Sequence, residues 1–552
     1  MKLVYPLLLL LLGMPCAGQL TPEQRRSDMT QLANLFAKYY APYEWKREAR
    51  GFDLMDLQPW LERASAVQDD IEFMELLVEY AAALDDGHVG VFFPSNFVAR
   101  LGFSADLYDG KVLIDSISRS LLPQDRYPFE IGDEVVSVDG RPVADLLKEF
   151  GKYYAGGNPR TKARVAASRI FSRFQQLMPS AARVGESATV VIRRAAGQEE
   201  TYNIPWTKSG LPLAGAGGAV SPKSFLRQNT AEVSDPVSPY TIFRVPRPVR
   251  ATIGWGDRNP VFALPQGFVR RRGASPVDYF LSGTFDYAGF KIGYIRIPDF
   301  EPASISGALS QFDSEIRYFQ QNTDGLIVDV MRNPGGYGSY CEELLRRLIP
   351  RRFRTIGFEI RATADWIQYF EDALTEARLL LQPNWVIQML QINLDFVRTA
   401  YSEVRGRTGA ISLNSTGSLE LIPVSYAYTK PLMVLTDELS ASAADFFPAV
   451  IQDNGRGPVF GYRTMGLGGG PTPFDATYYT ESFAYVTRSL MVRKEVVRTP
   501  EFPDTYYIEN VGVRPDIEVD YMTRDNLLNR GRAFVEAFSQ AMAEHIRQEG
   551  AR

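Results

Sequence analysis

The sequence predicts a multidomain α+β chain: a helical N-terminal region, a β-rich middle built of short strands, and an α/β core in the C-terminal half. Three observations carry this. Apolar residues recur at helical spacing in "MTQLANLFAKYY" and again in "DDIEFMELLVEYAAAL". From about Phe97 the texture changes to brief apolar runs broken by Gly, Pro and Asp-Gly. From Phe290 onward apolar strands alternate with amphipathic helices, as in "FKIGYIRIPDF", "ISGALSQFDSEIRYFQQ" and "GLIVDVM". At 552 residues, 45% hydrophobic and 23% charged, the chain has room for roughly three or four domains with cores of their own.

Residues 1–18 are expected to be a signal peptide. Lys2 is followed by the apolar run Leu3–Leu12, and "CAG" before Gln19 offers small residues to a signal peptidase. The run is short for a bilayer span, and no other stretch approaches the roughly 18 apolar residues a membrane helix needs. The expectation is an exported protein, periplasmic or extracellular. Cys16 would leave with the leader, so Cys341 would be the one remaining thiol and no intramolecular disulfide could form. Cys341 lies on the helical run "SYCEELLRRL" and reads as a packed thiol.

The helical region, 19–96, opens on a capping box at Thr21-Pro22-Glu23-Gln24 and ends at "DDGHVGVFF". In 97–206, "RLGFSADL" gives a glycine-flanked loop and strand. "IGDEVVSVDGRPVADLLKEF" gives a turn, a strand, an Asp-Gly hairpin and a helix, and "ATVVIRR" and "TYNIPW" close the unit. The stretch from Tyr153 to Met178 reads as a helical insertion. This region resembles a PDZ domain, which would bind an extended peptide by adding a strand to its edge. Residues 207–282, rich in Pro, Gly and Ser, read as a loop-dominated connector. The α/β core occupies 283–552. A helical insert at about 362–405 could serve as a lid, a dimerisation element or extra core.

Composition narrows the partners. A net charge of −5 with no basic run leaves no electrostatic footprint for nucleic acid or anionic lipid. The two histidines are far apart in sequence, so no metal-ligand cluster is legible and neither a metal nor an organic cofactor is expected. Protein or peptide substrates fit best, and a homo-oligomer is compatible with the sequence.

Chemistry concentrates where strands turn into helices. In "LTDELSASAADFF" an apolar strand gives way to small residues and then a helix, so a serine stands at a helix N-terminus beside approachable backbone. Such a serine is most often only an N-cap. "RNPGGYGS" is a second strand–glycine–helix turn, which aims N–H groups at developing negative charge. A serine nucleophile needs a base, and the chain offers only His88 and His545. His545 sits on the C-terminal run "FVEAFSQAMAEHIRQEG" and reads as solvated. His88 follows the break "DDG" with no capping or charge role.

The order "GYIRI", "GLIVDVMRNPGG", "SASAAD" then "QDNGR", and "ENVGVRPDIEV", with the upstream "DGH" and the PDZ-like region, resembles the C-terminal processing (tail-specific) peptidase family. That family has a ClpP/crotonase-like core. Processing peptidases carry a lysine base where this chain has Leu467 in "MGLGGG", so the resemblance points to the branch of tricorn and the chlamydial protease-like activity factor, with a Ser-His-Glu site. It places the nucleophile on Ser442 rather than Ser440, the base on His88, and the acid on Glu509 in "YIENVGVRPD". Tricorn carries a serine just before its histidine; Gly87 stands here, so the link from Glu509 to His88 would be direct or through water. The oxyanion donors would be the N–H of Ala443 and that of Gly336 or Gly335, with Gly336 slightly favoured. Asp329 and Asp445 are rival acids, explained by a buried strand end and by a helix dipole. The implied activity is hydrolysis of peptide bonds by an exported serine endopeptidase. The alternative is a non-catalytic protein of the same fold that binds peptides or apolar ligands.

Overall fold

The computed structural model describes residues 19–213, 252–413 and 417–550. The expected signal peptide and much of the Pro/Gly-rich connector lie outside them. The N-terminal region is helical, in Pro22–Tyr39, Tyr43–Arg50, Gln58–Ala66 and Asp70–Ala82. The capping box forms: Thr21 Oγ1 accepts the Gln24 N–H at 3.2 Å, and Gln24 accepts the Thr21 N–H at 2.9 Å. Asp70–Ala82 buries Phe73, Leu76, Leu77 and Tyr80 on its inner side, the 3.6-residue period expected of a helix lying on a core.

The PDZ-like region is an antiparallel sheet of Phe103–Tyr108, Lys111–Ile117, Glu134–Val138, Ser187–Arg193 and Glu199–Pro205. Its insertion is only partly helical. After Pro159–Phe171 the chain forms the strand Ser172–Phe174, which pairs with Val98–Arg100, and Thr207–Ser209 closes that ribbon on the other side.

The C-terminal α/β core is a seven-stranded sheet in the order Val269–Arg272, Leu281–Tyr287, Phe290–Arg296, Gly325–Asp329, Leu432–Thr436, Val459–Gly461, Ile517–Glu518. From Phe290–Arg296 onward the strands are parallel. Both faces are buried. Leu326, Val328, Leu432 and Val434 enter one core, while Ile327, Met433 and Leu435 enter the other, so period two and the continuous apolar runs have one cause. Phe534, Phe538, Met542 and Ile546 of the C-terminal helix Arg532–Gly550 pack on the second face at four-residue spacing.

The sheet begins earlier than the sequence suggests. Leu281–Tyr287 forms a hairpin with Phe290–Arg296 and carries Val269–Arg272 at its edge, so part of the expected connector is strand. "LSGT" does not look like a core strand because its serine and threonine are polar, yet both are buried. Ser282 donates to Glu315 at 2.8 Å, and Arg271 and Arg272 pair with the same carboxylate.

The helical insert forms Ala364–Leu379 and Asn384–Ser402. Its inner residues, among them Trp366, Phe370, Met389 and Leu394, join the core of the sheet, so it extends that core. A second sheet is built around the long strand Phe483–Val497, which pairs with Gly90–Phe92 in the register Gly90↔Tyr485. The segment just after His88 is thereby anchored on the C-terminal core. Among the described residues no helix is long and apolar enough to cross a membrane.

Candidate active site

The turn from Leu432–Thr436 into helix Ala443–Asp453 distinguishes the two serines. Ser440 is fully buried; its Oγ donates to the Val330 carbonyl at 2.8 Å and lies 3.1 Å from Asp437 Oδ1. Those bonds make it part of the turn's frame. Ser442 is partly exposed and sits at φ 58°, ψ −113°, a backbone region that non-glycine residues adopt at a cost of about 1–3 kcal/mol. The surroundings hold it there. Asp445 Oδ2 accepts the Ser442 N–H at 2.7 Å, and the same carboxylate accepts Thr464 Oγ1 at 2.5 Å, the Gly466 N–H at 2.8 Å and the Leu467 N–H at 3.1 Å. Burial pushes Asp445 up to about 6 against the pull of these donors. Its role therefore extends beyond charge–dipole stabilisation: it ties the serine turn to residues 464–467.

The glycine loop lies against this turn. Ala441 N–H donates to the Asn333 carbonyl at 2.9 Å, and Arg332 N–H donates to Asp437 at 2.8 Å. Gly335 is at φ 94°, and a Cβ there would stand 2.6 Å from Ser442 Cβ and 2.9 Å from the Ala443 nitrogen. Only glycine leaves that space open. The Gly335 N–H is already spent on Asn333 Oδ1 at 2.8 Å. Among the described residues the N–H groups of Gly336 and Ala443 have no hydrogen-bond acceptor, which favours Gly336 over Gly335 as second donor. From the described part of the connector, Trp255 Nε1 donates to the Leu439 carbonyl at 2.6 Å and Gly256 N–H to Arg332 at 2.9 Å, bracing both loops.

Residues 464–468 connect the serine to the other predicted residues. Leu467 is buried, and a Cβ at Gly87 would meet its Cδ1 at 2.7 Å. The small residue before His88 and the leucine in the lysine position thus fit one another. Gly468 N–H donates to Glu509 Oε2 at 2.9 Å. The other Glu509 oxygen is taken by Lys46, at 2.5 Å, and both side chains are fully buried. Lys46 Nζ also donates to Asn510 Oδ1 at 2.6 Å and to the Asp85 carbonyl at 2.9 Å. Glu509 thus forms a buried ion pair with Lys46, a partner the sequence does not single out. Asp86 is the carboxylate on the histidine's own loop: it accepts the His88 backbone N–H at 2.9 Å and the Tyr40 hydroxyl at 3.0 Å.

Electrostatics follow from burial. His88 is held down at about 4, chiefly by desolvation; Asp86 pulls it up and Lys46 pushes it down. It is neutral at pH 7, the form that accepts a proton. Burial, and then the Asp86 charge, raise Glu509 despite Lys46. Asp329 bonds Tyr294 and Arg296 at the buried strand end. Burial lifts the Cys341 thiol well above its ordinary range, so it stays protonated. His545 is half-buried and lines a separate polar cavity with Arg351, Lys430 and Arg456.

Lys46 was not recognisable from sequence, and its removal has a calculable consequence. Lys46→Met leaves a buried carboxylate without its cation, which typically costs about 3–5 kcal/mol. Chemical denaturation should show a loss of that size, and a change below about 1 kcal/mol would refute the pairing.

The PDZ-like region reaches the same turn. Arg164, fully buried, bonds Asp106 of Phe103–Tyr108 at 2.6 Å and Glu438 at 3.1 Å, while Thr161 Oγ1 donates to the Glu438 carbonyl at 2.5 Å.

Comparison with known proteins agrees with this architecture. Residues 291–519 match the model of peptidase family S41, and residues 98–211 match that of a PDZ domain. A Chlamydia trachomatis protein is 26% identical over 607 residues, covering 97% of this chain and 95% of its own. Tricorn protease homolog 1 of Streptomyces coelicolor is 22% identical over 351 residues, covering 60% of this chain and 25% of its own. The crystal structure of mature CPAF, the chlamydial protease-like activity factor, superposes with a TM-score of 0.77 at 23% identity, covering 96% of this chain and 98% of that one. Residues 291–519 thus form a peptidase domain of family S41, with a PDZ domain ahead of it, in a chain that shares the fold of mature CPAF.

Proposed function

We propose that the protein is an exported endopeptidase that cleaves polypeptides through an acyl-enzyme on Ser442. His88 takes the Ser442 proton as Oγ attacks the scissile carbonyl, then returns it to the leaving amine; water repeats the cycle on the ester. The N–H groups of Ala443 and Gly336 receive the oxyanion. Glu509 is the acid of the site and works through its pairing with Lys46, while Asp86 stabilises the imidazolium that forms. The single observation that carries this reading is the strained Ser442 backbone, set beside the Ala443 N–H and kept open by Gly335. Export is supported by Lys2 and the apolar run Leu3–Leu12.

The test is product mapping by mass spectrometry after incubation with an unfolded protein. Internal fragments are expected. Release of terminal residues alone would refute endopeptidase action, and an intact substrate would favour a binding protein.

A further inference from the structure

A cavity beside the His88 loop has no part in the chemistry above. Its walls are mostly apolar, formed by Val89, Val91, Val165, Leu177, Ile253 and Trp255. Gly87 and Tyr154 also line it, and the Tyr154 hydroxyl lies 3.2 Å from where a Gly87 Cβ would stand. It therefore shares a wall with the loop that carries the candidate base.

Two cations line this space, and one of them, Lys152, pairs with Glu75 at 3.2 Å. Arg169, on helix Pro159–Phe171, lines the cavity and is 4% exposed. Its Nε and Nη1 have no hydrogen-bond partner, and its neighbours include the Phe174 ring at 5.8 Å and the Tyr154 side chain. Other buried arginines do have carboxylates: Arg25 pairs with Asp70, Arg164 with Asp106 and Glu438, Arg296 with Asp329, and Arg493 with Asp453. Among the described residues Arg169 has no such pair. Burial brings its guanidinium down to about 10, so it remains charged at neutral pH. A buried guanidinium without an anion is normally excluded from a core, so its presence suggests that the anion comes from elsewhere.

The space limits what that anion is. The cavity measures about 40 Å³, on a scale where one water needs roughly 10–15 Å³. It takes a group of a few heavy atoms with an apolar stem. The planar fork of arginine matches a carboxylate through two parallel hydrogen bonds.

We propose that Arg169 is the carboxylate-binding residue of a substrate subsite beside His88, which receives an acidic group of the polypeptide being cleaved. This rests on the peptidase reading. The carboxylate comes from an Asp or Glu side chain or from the C-terminus of the peptide, and one experiment separates the two. The full chain carrying Ser442→Ala is titrated calorimetrically with neutral apolar peptides in which one Glu/Gln exchange is scanned along the sequence. Each peptide is made with a free and with an amidated C-terminus. One acid form is expected to bind more tightly than its amide by on the order of tenfold or more, the scale of hydrogen bonds to a charged group. Adding Arg169→Met should remove that preference. If the preference follows the Glu/Gln exchange, the side chain is the ligand; if it follows the terminus, the α-carboxylate is. Equal binding of all forms, or an acid preference that Arg169→Met leaves unchanged, overturns the proposal. Arg169→Met replaces an uncompensated buried charge with an apolar chain and is expected to melt no lower than its parent. Should it fail to fold, the acid-to-amide ratio in the Ser442→Ala protein decides alone. A wild-type protein that cleaves nothing yet prefers the acid forms would sink the peptidase reading and the substrate role with it, leaving Arg169 only as a carboxylate-binding residue.

Discussion

Ser442→Ala is expected to lower kcat on an unfolded protein by on the order of 10⁴–10⁶-fold, the scale seen when a serine nucleophile is removed from a preorganised site. Backbone geometry is the reason to expect the upper part of that range. Ser442 stands in a conformation its side chain disfavours, and Asp445, Asn333 and Asp437 hold the turn around it. Alanine keeps that frame and the N–H donors, so the loss isolates the hydroxyl. Ser440→Ala provides the contrast. It breaks the bond to the Val330 carbonyl, which should cost about 1–2 kcal/mol of stability, while kcat stays within about tenfold. A reversal of the two results would move the nucleophile to Ser440.

His88→Ala is expected to cost about 10²–10⁴-fold in kcat/KM, the usual worth of general-base assistance. The pH dependence makes this specific. An ordinary imidazole titrates near 6.5 and is only about one-tenth neutral at pH 5.5, but burial holds His88 at about 4. The wild-type kcat/KM profile should therefore keep most of its height at pH 5.5 and fall only toward about 4. The same shift links to stability with a definite sign. Below about 6.5 the unfolded chain binds a proton at this position and the folded one does not, so His88 subtracts stability as pH falls from 6.5 to about 4. His88→Ala should show less acid destabilisation across that window. An acid limb at 6.5 would mean that the histidine is solvated.

Much of this site could be read from the chain because its elements are local. "LMVLT" and "AADFFPAVI" are a buried strand and an amphipathic helix, and the small residues between them leave one arrangement for Ser442. The glycine loop carries its signal in two adjacent residues at positive φ. The choice of base followed from scarcity, since the sequence holds two histidines. Lys46 gave no such signal. In "YEWKREAR" it looks like one more charge on a short surface helix, and its partner is 463 residues away. Only tertiary closure of the N-terminal region onto the core buries it. The strand Leu281–Tyr287 carries no such signal because its serine is buried by a bond to Glu315 of another segment. Arg169 likewise looks like an ordinary charge on "RTKARVAASRIF"; its isolation from carboxylates exists only in three dimensions.

The central claim is that Ser442 is activated by a neutral, buried His88 in a site whose lysine position holds leucine. The most direct measurement is the rate of covalent labelling by a serine-directed phosphonate as a function of pH, with the adduct located by mass spectrometry. The account predicts a single adduct on Ser442 and a labelling rate that holds from neutrality down to about pH 5, with its half-point near the His88 value of about 4. An adduct on Ser440, or labelling that rises only above about pH 8 as a lysine base would require, would contradict it.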